Sequence, residues 1–144
     1  MTKIARYTPP PQELVQALHD GLARAGQTLS DNDLRNFLFA AHDDAGAMIG
    51  GCRGEIAFRS ARVSELWVSE AARGQGLGGT LLQAAEAHAR DHDCIRIHIE
   101  TRNEGARRLY ERQGYRIFGE LTHYDGEQSF YYMEKRLPPA AETG

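Results

Sequence analysis

Four glycines within six positions constrain the fold of this chain more than any other feature of its sequence. They follow an apolar, strand-like segment at 63–68 and stand at the start of a segment with helical periodicity; they are Gly74, Gly76, Gly78 and Gly79. The first N–H groups of a helix have no partner inside the helix, and the helix dipole favours negative charge there. Because glycine lets an anion approach the bare backbone, this strand–loop–helix unit predicts a binding site for phosphate groups.

Two common phosphate-binding motifs fit this loop poorly. Gly74 and Gly79 have the separation of a P-loop, but Thr80 stands where that motif requires lysine. The loop also spells the G-x-G-x-x-G of dinucleotide-binding folds, and Glu100 lies about twenty residues further on. However, five residues separate the preceding strand from the first glycine, whereas the dinucleotide motif needs the strand to lead directly into it. A dinucleotide-binding oxidoreductase therefore stays a less favoured alternative.

A third interpretation rests on several segments taken together, and the loop supplies one of them with the pattern Q/R-x-x-G-x-G/A. In chain order the segments are Leu66-Trp67-Val68, Arg73-Gly74-Gln75-Gly76-Leu77-Gly78, Asn103-Glu104-Gly105-Ala106, Leu109-Tyr110-Glu111-Arg112-Gln113-Gly114-Tyr115 and Met133-Glu134-Lys135-Arg136-Leu137. With these segments the chain resembles the GNAT family of N-acetyltransferases over residues 47–137. Glu70 departs from the family, many of whose members have proline there. This departure predicts a looser entry to the loop.

The pattern of prolines and apolar residues predicts one uninterrupted fold. No proline lies between Pro11 and Pro138, and periodicity between them predicts the order α, β, β, β, α, β, α, β, β. We expect a first helix from Pro11 to Gly26, strands at 37–41, 47–58, 63–68, 95–100, 115–121 and 130–137, a last helix from Asn103 to Gly114, and turns at 30–33, 43–46 and 123–126. Gly50, Gly51 and Gly54 predict an irregular second strand.

The resemblance implies a single-domain GNAT-like fold of the α/β (α+β) class. Such a fold has a mixed, mostly antiparallel sheet with splayed central parallel strands, flanked by helices. The expected domain covers residues 1–137, and residues 138–144 are expected to form a flexible tail.

The resemblance also implies acetyl-CoA as co-substrate, with no metal. Backbone N–H groups of the loop would bind the pyrophosphate of coenzyme A, and the splayed strand would pair its main chain with the pantetheine arm. One N–H freed there can serve as an oxyanion donor. Asn103 matches the family position that hydrogen-bonds this arm, and arginine side chains suit phosphate oxygens. The expected coenzyme A-binding residues are Trp67, Val68, Arg73, Gly74, Gln75, Gly76, Leu77, Gly78, Gly79, Thr80, Asn103 and Arg107.

Two catalytic roles follow from acyl transfer between a thioester and an amine. The departing thiolate benefits from a proton, and Tyr110 matches the family position of the acid that supplies it. The amine must be neutral when it attacks, although such amines titrate near pH ~10.4. Glu65 is the first candidate for the base, with His98 and Glu100 as rivals. A chain of waters could replace a dedicated base.

The predicted function is transfer of an acetyl group from acetyl-CoA to a primary amine by direct attack in a ternary complex. Two alternatives keep the same fold: a different acyl donor such as succinyl-CoA, or an acyl-CoA-binding sensor module without turnover. The acceptor is expected to be a small-molecule or peptide amine and is not identified by the sequence.

Composition excludes several other classes of protein. The formal net charge of −3 argues against nucleic-acid binding, and no apolar run approaches the ~18 residues of a membrane span. Residues 1–6 lack the apolar core of a signal peptide. Cys52 and Cys94 lie far apart, without metal-type spacing, and the pair His88 and His92 suggests no third ligand. We therefore expect a cytoplasmic enzyme without metal and no membrane partner. The resemblance to the GNAT family further implies a homodimer through the last two strands.

Overall fold

The computed structural model describes residues 1–27 and 34–139. The chain divides into two compact units, Met1–Asn32 and Asp33–Gly144. The helices are α1 (Gln12–Arg24), α2 (Leu77–Asp91) and α3 (Glu104–Arg112), and a short 3-10 helix spans Glu70–Ala72. The strands are β1 (Leu34–His42), β2 (Met48–Ala57), β3 (Ser60–Val68), β4 (Arg96–Thr101), β5 (Arg116–Asp125) and β6 (Gln128–Arg136).

Within the first unit, α1 begins directly after three prolines. Pro11 has extended backbone angles (φ −64°, ψ 139°) and caps the helix, so the predicted start at Pro11 is one residue early. Glu13 lies in the first turn and Arg24 in the last, where each complements the helix dipole.

The second unit is built on one six-stranded sheet with the order β1-β2-β3-β4-β6-β5. Among the described strands, only the central pair, β3 with β4, is parallel, and the other four pairs are antiparallel. The sheet is therefore mixed and mostly antiparallel, as predicted. It matches the fold class that the sequence implies.

The two central strands, β3 and β4, separate about halfway along their length. Their register runs from Ser60 opposite Arg96 to Val63 opposite Ile99 and then stops. Since β3 continues to Val68 and β4 to Thr101, the β4 side of the last residues of β3 has no strand partner in the described part of the chain. This is the splayed pair that the sequence resemblance implies.

A β-bulge in β3 changes which face its side chains occupy. Arg53 of β2 pairs with Glu65, whereas the next residue, Gly54, pairs with Val63, so Ser64 is the extra residue. A one-residue slip moves side chains to the opposite face of a sheet. Val63 is therefore buried. Glu65 is exposed, and so is Trp67, which lies two residues further along on the same face. The sequence predicted an irregular second strand, and β2 has an extra residue, Ile49, in its pairing with β1. The bulge at Ser64 lies in β3 and was not predicted.

The core lies between the sheet and α2. Ile56, Val63, Ile97 and Met133 from four neighbouring strands are fully buried, and Leu82 of α2 packs with them. Burying side chains of this size stabilises the fold by about 1.5–3 kcal/mol each. The core therefore fixes α2, and with it the glycine loop, relative to the strands.

The predicted order of elements is confirmed, with one correction at the last hairpin. The predicted turn at 123–126 is wrong because β5 continues to Asp125 and only Gly126 and Glu127 form the turn. The predicted turn at 30–33 lies outside the described residues. Of the predicted tail, Pro138 and Pro139 are described and have no regular structure, and residues 140–144 lie outside the description.

Candidate active site

A cleft of about 820 Å³ lies where β3 ends, α2 begins and α3 packs beside them. We call it the main cleft. From β3 and the loop it is lined by Leu66, Trp67, Val68, Ala72, Arg73, Gly74, Gly76, Leu77, Gly78 and Gly79. From the segment around α3 it is lined by Thr101, Asn103, Gly105, Ala106, Leu109, Tyr110, Arg112 and Gln113. The structure thus brings together nine of the twelve predicted coenzyme A-binding residues and the predicted acid, Tyr110.

The glycine loop presents bare backbone to this cleft. Gly74 and Gly76 have φ values of +78° and +79°, which favour glycine, and a Cβ added at either would meet open space. Gly76 caps α2, and no side chain in the described residues caps this end. The first helical N–H groups, from Leu77 to Gly79, therefore keep their donors for an anion. This loop fits a pyrophosphate.

Close packing against α3 explains the other two glycines. A Cβ on Gly78 would lie 3.1 Å from Leu109 Cδ2, and one on Gly79 would lie 2.6 Å from Gln113 Nε2. Because neither residue has a side chain, the C-terminal half of α3 reaches the first turn of α2. This contact places Tyr110 beside the loop.

Two further polar residues shape the cleft wall. The Arg73 Nε–H donates to the Val68 carbonyl at 3.1 Å and ties the loop to the end of β3. Asn103 caps α3, because its Oδ1 accepts from the Ala106 N–H at 2.9 Å. A hydrogen bond from Asn103 to a substrate would therefore come from its amide NH₂ group.

Tyr110 is a buried phenol on the cleft wall, with 6% of its surface exposed. Burial raises the pKa of Tyr110 to about 12, with a smaller contribution from Cys52. The hydroxyl therefore stays protonated at neutral pH, as a proton donor must.

Behind Tyr110 lies a buried polar network. Glu86 of α2, 2% exposed, accepts hydrogen bonds from the Tyr115 hydroxyl at 3.0 Å and from Lys135 Nζ at 2.8 Å. Burial and the Glu86 carboxylate raise the pKa of Tyr115. The Tyr115 N–H donates to the Tyr110 carbonyl at 2.9 Å, and the two rings lie 6.1 Å apart between centroids. The network fixes the turn that follows Tyr110.

None of the three candidate bases is among the residues that line the main cleft. Glu65 does not line the main cleft; it forms an exposed ion pair with Arg53 and accepts from the Arg53 Nε–H at 2.7 Å. Glu100 forms an ion pair with Arg62 at 2.7 Å. Burial lowers the pKa of His98. The structure therefore leaves Glu65 as the most accessible of the three carboxylate or imidazole groups.

Three predicted binding residues do not line the main cleft. Arg107 pairs with Glu104 at 2.7 Å and Glu111 at 2.8 Å, and its guanidinium lies 5.3 Å from the centre of the Tyr131 ring. Thr80 turns its hydroxyl to the Gly76 carbonyl at 3.1 Å, and Gln75 lies in the loop without lining the cleft. Arg112 is the cleft arginine that the sequence analysis missed. Arg112 lies three residues after Leu109, and this helical spacing, which places the two residues on the same face, could have identified it.

Metal binding finds no support in the described residues. They contain no group of three or more His, Cys, Asp or Glu that could hold a metal ion. His88 and His92 lie with ring centroids 4.3 Å apart, and His88 packs against Phe37 and Phe39. Within the same residues, no helix is long and apolar enough to cross a membrane.

Sequence comparison now defines the class of protein. The model of the acetyltransferase (GNAT) family matches residues 4–115, and the chain belongs to this family. It is an acyl-CoA-dependent N-acetyltransferase with acetyl-CoA as its co-substrate.

Two curated relatives share more than a third of their aligned residues with this chain. An acetyltransferase of Agrobacterium fabrum is 37% identical over 116 residues, which cover 81% of this chain and 82% of that protein. The blasticidin-S acetyltransferase of Streptomyces morookaense is 35% identical over 95 residues, or 65% of this chain and 70% of that protein.

Solved structures share the fold. A protein of Agrobacterium tumefaciens assigned to the acetyltransferases has a TM-score of 0.75 at 33% identity, covering 94% of this chain and 99% of its own. An acetyltransferase of Bacillus cereus has a TM-score of 0.81 at 23% identity, covering 94% and 98%.

Proposed function

We propose that the chain transfers the acetyl group of acetyl-CoA to the primary amine of a small molecule, with the main cleft holding the co-substrate and Tyr110 acting as the acid. One observation carries the proposal. The pairing of β3 with β4 stops beside an anion-binding helix terminus, and a buried phenol lines the same cleft.

Binding follows from groups already in place. The N–H groups at the start of α2 bind the pyrophosphate, and Arg112 adds a positive charge at the cleft wall. The free side of β3 from Leu66 to Val68 pairs with the amide groups of pantetheine as an added strand would. Asn103 donates to the same arm from the opposite wall.

Proton transfer divides between two residues on different sides of β3. Glu65 takes a proton from the ammonium group, which frees the nitrogen lone pair for attack on the thioester carbonyl carbon. As the new C–N bond forms and the C–S bond breaks, Tyr110 gives its proton to the thiolate sulfur. The new amide nitrogen then loses its surplus proton, which restores the Tyr110 hydroxyl. One proton is released to solvent from Glu65 in each turnover.

A small-molecule acceptor is supported by the relatives. The Streptomyces morookaense relative acetylates blasticidin S according to its name. A nourseothricin acetyltransferase, with a TM-score of 0.64 at 28% identity, is a second neighbour named for an antibiotic; it covers 77% of this chain.

Two further expectations from the sequence remain proposals. A cytoplasmic location is supported by Cys52 and Cys94, which are buried and unbridged. A homodimer through the last two strands, β5 and β6, is supported by the exposed apolar side chains Ile117, Phe118 and Leu121 of β5.

The decisive experiment is release of free thiol from acetyl-CoA with a panel of amines, in wild type and Tyr110→Phe. We expect kcat to fall at least about 100-fold in Tyr110→Phe, since a general acid contributes that much or more, while the Kd of acetyl-CoA changes little. Tyr124→Phe, an exposed tyrosine on β5, is the matched control and should match wild type. Equal kcat values in Tyr110→Phe and wild type would exclude Tyr110 as the acid.

A further inference from the structure

A second cavity, of about 250 Å³, opens beside β3 on the face of the sheet that turns away from α2. Alternation along β2 establishes the face: a Cβ on Gly50 would contact Leu77 and Leu81 of α2, whereas one on Gly51 would meet Met48 Cε at 2.5 Å. The side chains of Leu38, Arg53, Glu65 and Trp67 line this second cavity together with Met48.

The β-bulge in β3 creates this lining. Without the extra Ser64, simple alternation would place Glu65 and Trp67 on the buried face with Val63. With it, both side chains emerge opposite Gly51 and Arg53 of β2. Ser64 also donates from its hydroxyl to the Arg53 carbonyl at 3.2 Å, which holds the bulge. Bulges often re-aim side chains at functional sites.

Trp67 connects the second cavity to the main cleft, since it lines both. Its cross-strand partner Gly51 has no side chain. The flexible end of the Met48 side chain, rather than a side chain at position 51, reaches the space there. An acceptor bound against the indole therefore lies next to the free edge of β3, where the pantetheine arm would end.

The charges in the second cavity suit one cation and no more. The Glu65 carboxylate, 66% exposed, can accept a hydrogen bond from an ammonium group, and the Trp67 indole adds a cation–π contact. Arg53 pairs with Glu65 and carries the only other charge among the lining residues, so it opposes a second positive charge. Leu38 and Met48 form an apolar wall that suits the body of a ligand rather than a polar chain.

We propose that the second cavity is the acceptor-binding site and that it selects a monocationic amine with a planar or apolar body over a polyamine. This inference rests on the proposed acetyl transfer. Glu65 and Trp67 determine its specificity, because they supply the charge and the flat apolar surface that meet the acceptor.

Trp67 is the only tryptophan in the chain, so its fluorescence reports directly on the second cavity. The experiment titrates the full chain with 2-phenylethylamine and, separately, with 1,4-diaminobutane. We expect a saturable change with 2-phenylethylamine and binding at least about tenfold weaker for the diamine. Glu65→Gln should weaken 2-phenylethylamine binding about tenfold, equivalent to 1.4 kcal/mol.

Asp125→Asn is the matched control, since Asp125 also forms an exposed ion pair with an arginine, Arg102, and its side chain is also 66% exposed. It should bind 2-phenylethylamine like wild type. The proposal is overturned if no saturable change occurs, if Glu65→Gln binds like wild type, or if the diamine binds as tightly as the monoamine.

Acetyl-CoA binding, measured by calorimetry on the same samples, separates this inference from the proposed function. Glu65-dependent amine binding without acetyl-CoA binding would support the second cavity and contradict acetyl transfer. Acetyl-CoA binding and thiol release without Glu65-dependent amine binding would support acetyl transfer and contradict the second cavity as the acceptor site.

Discussion

At the scale of single residues, two buried, weakly acidic side chains, the Cys52 thiol and the Tyr110 hydroxyl, make the stability of the native state depend on alkaline pH. Burial raises the pKa of the Cys52 thiol to about 11 and, as its main cause, that of the Tyr110 hydroxyl to about 12. Both groups are neutral when the pH is below their ordinary pKa values. Between the ordinary and the raised value, the unfolded chain releases the proton while the folded chain keeps it. The free energy of unfolding therefore falls as pH rises through this window.

We predict that Cys52→Ala removes part of this alkaline loss of stability. For the wild type, the Cys52 contribution is largest below pH 9 and disappears by about pH 11, an effect of up to about 2–3 kcal/mol. Urea unfolding at several pH values from neutral to 11 measures the slope. Val63→Ala, which removes buried atoms without a titrating group, should lower stability equally at all pH values. Identical slopes for wild type and Cys52→Ala would contradict the prediction.

The arginines of α3 show that the position of a residue around the helix determines whether its charge faces the cleft. Arg107 and Arg112 both lie on α3, but Arg107 pairs with Glu104 and Glu111 and lies over the Tyr131 ring. Arg112 shares the cleft side with Leu109 and Gln113. The residue predicted from the sequence to bind coenzyme A is Arg107, whereas the arginine of α3 that lines the cleft is Arg112.

At the scale of elements, the bulge between β2 and β3 depends on one glycine. A Cβ on Gly54 would overlap the carbonyl oxygen of Arg62 and lie 2.8 Å from Phe37 Cζ. Backbone atoms cannot move aside as the end of a side chain can. The bulge, the exposure of Glu65 and the second cavity all follow from this close approach.

We predict that Gly54→Ala destabilises the protein by about 3 kcal/mol or more, as overpacking and strain in a tight core do. Gly119→Ala is the matched control in a strand: its Cβ would lie 3.4 Å from Tyr132, an ordinary contact. The control should change stability by less than about 1 kcal/mol. Urea unfolding measures both variants, and equal midpoints would show that the bulge tolerates a side chain.

At the scale of the whole molecule, ligand binding should stabilise the fold selectively. The phosphate-binding loop and Tyr110 belong to elements that pack together through α2 and α3, so a ligand that spans them binds only the folded state. We predict that acetyl-CoA at 100 times its Kd stabilises the protein by about 2.7 kcal/mol. NAD at the same concentration should leave the melting temperature unchanged. Thermal melting with each ligand measures both effects, and a shift with NAD alone would return the dinucleotide alternative to consideration.

Much of this architecture could be predicted from local patterns. Alternating apolar residues in β4, the helical spacing in α2 and the cluster of glycines at 74–79 are local signals, because they reflect backbone preferences and the burial of one face. The order of elements, the phosphate-binding loop and the inward face of Tyr110 on its helix followed from them. The place of Tyr110 beside the co-substrate was implied by the family resemblance. The resemblance to the GNAT family added the splayed central strands.

Only the tertiary structure decided which side chains share a space. The bulge at Ser64 reverses the faces of Glu65 and Trp67, and it arises from the close approach of Gly54 to Arg62 on another strand. The phase of α3 relative to the cleft likewise depends on its packing against Gly78 and Gly79 of α2. The sequence by itself determined the elements and the chemistry they carry. Contacts between segments distant in the chain determined the two cavities, since a shift of one residue turns a side chain to the opposite face.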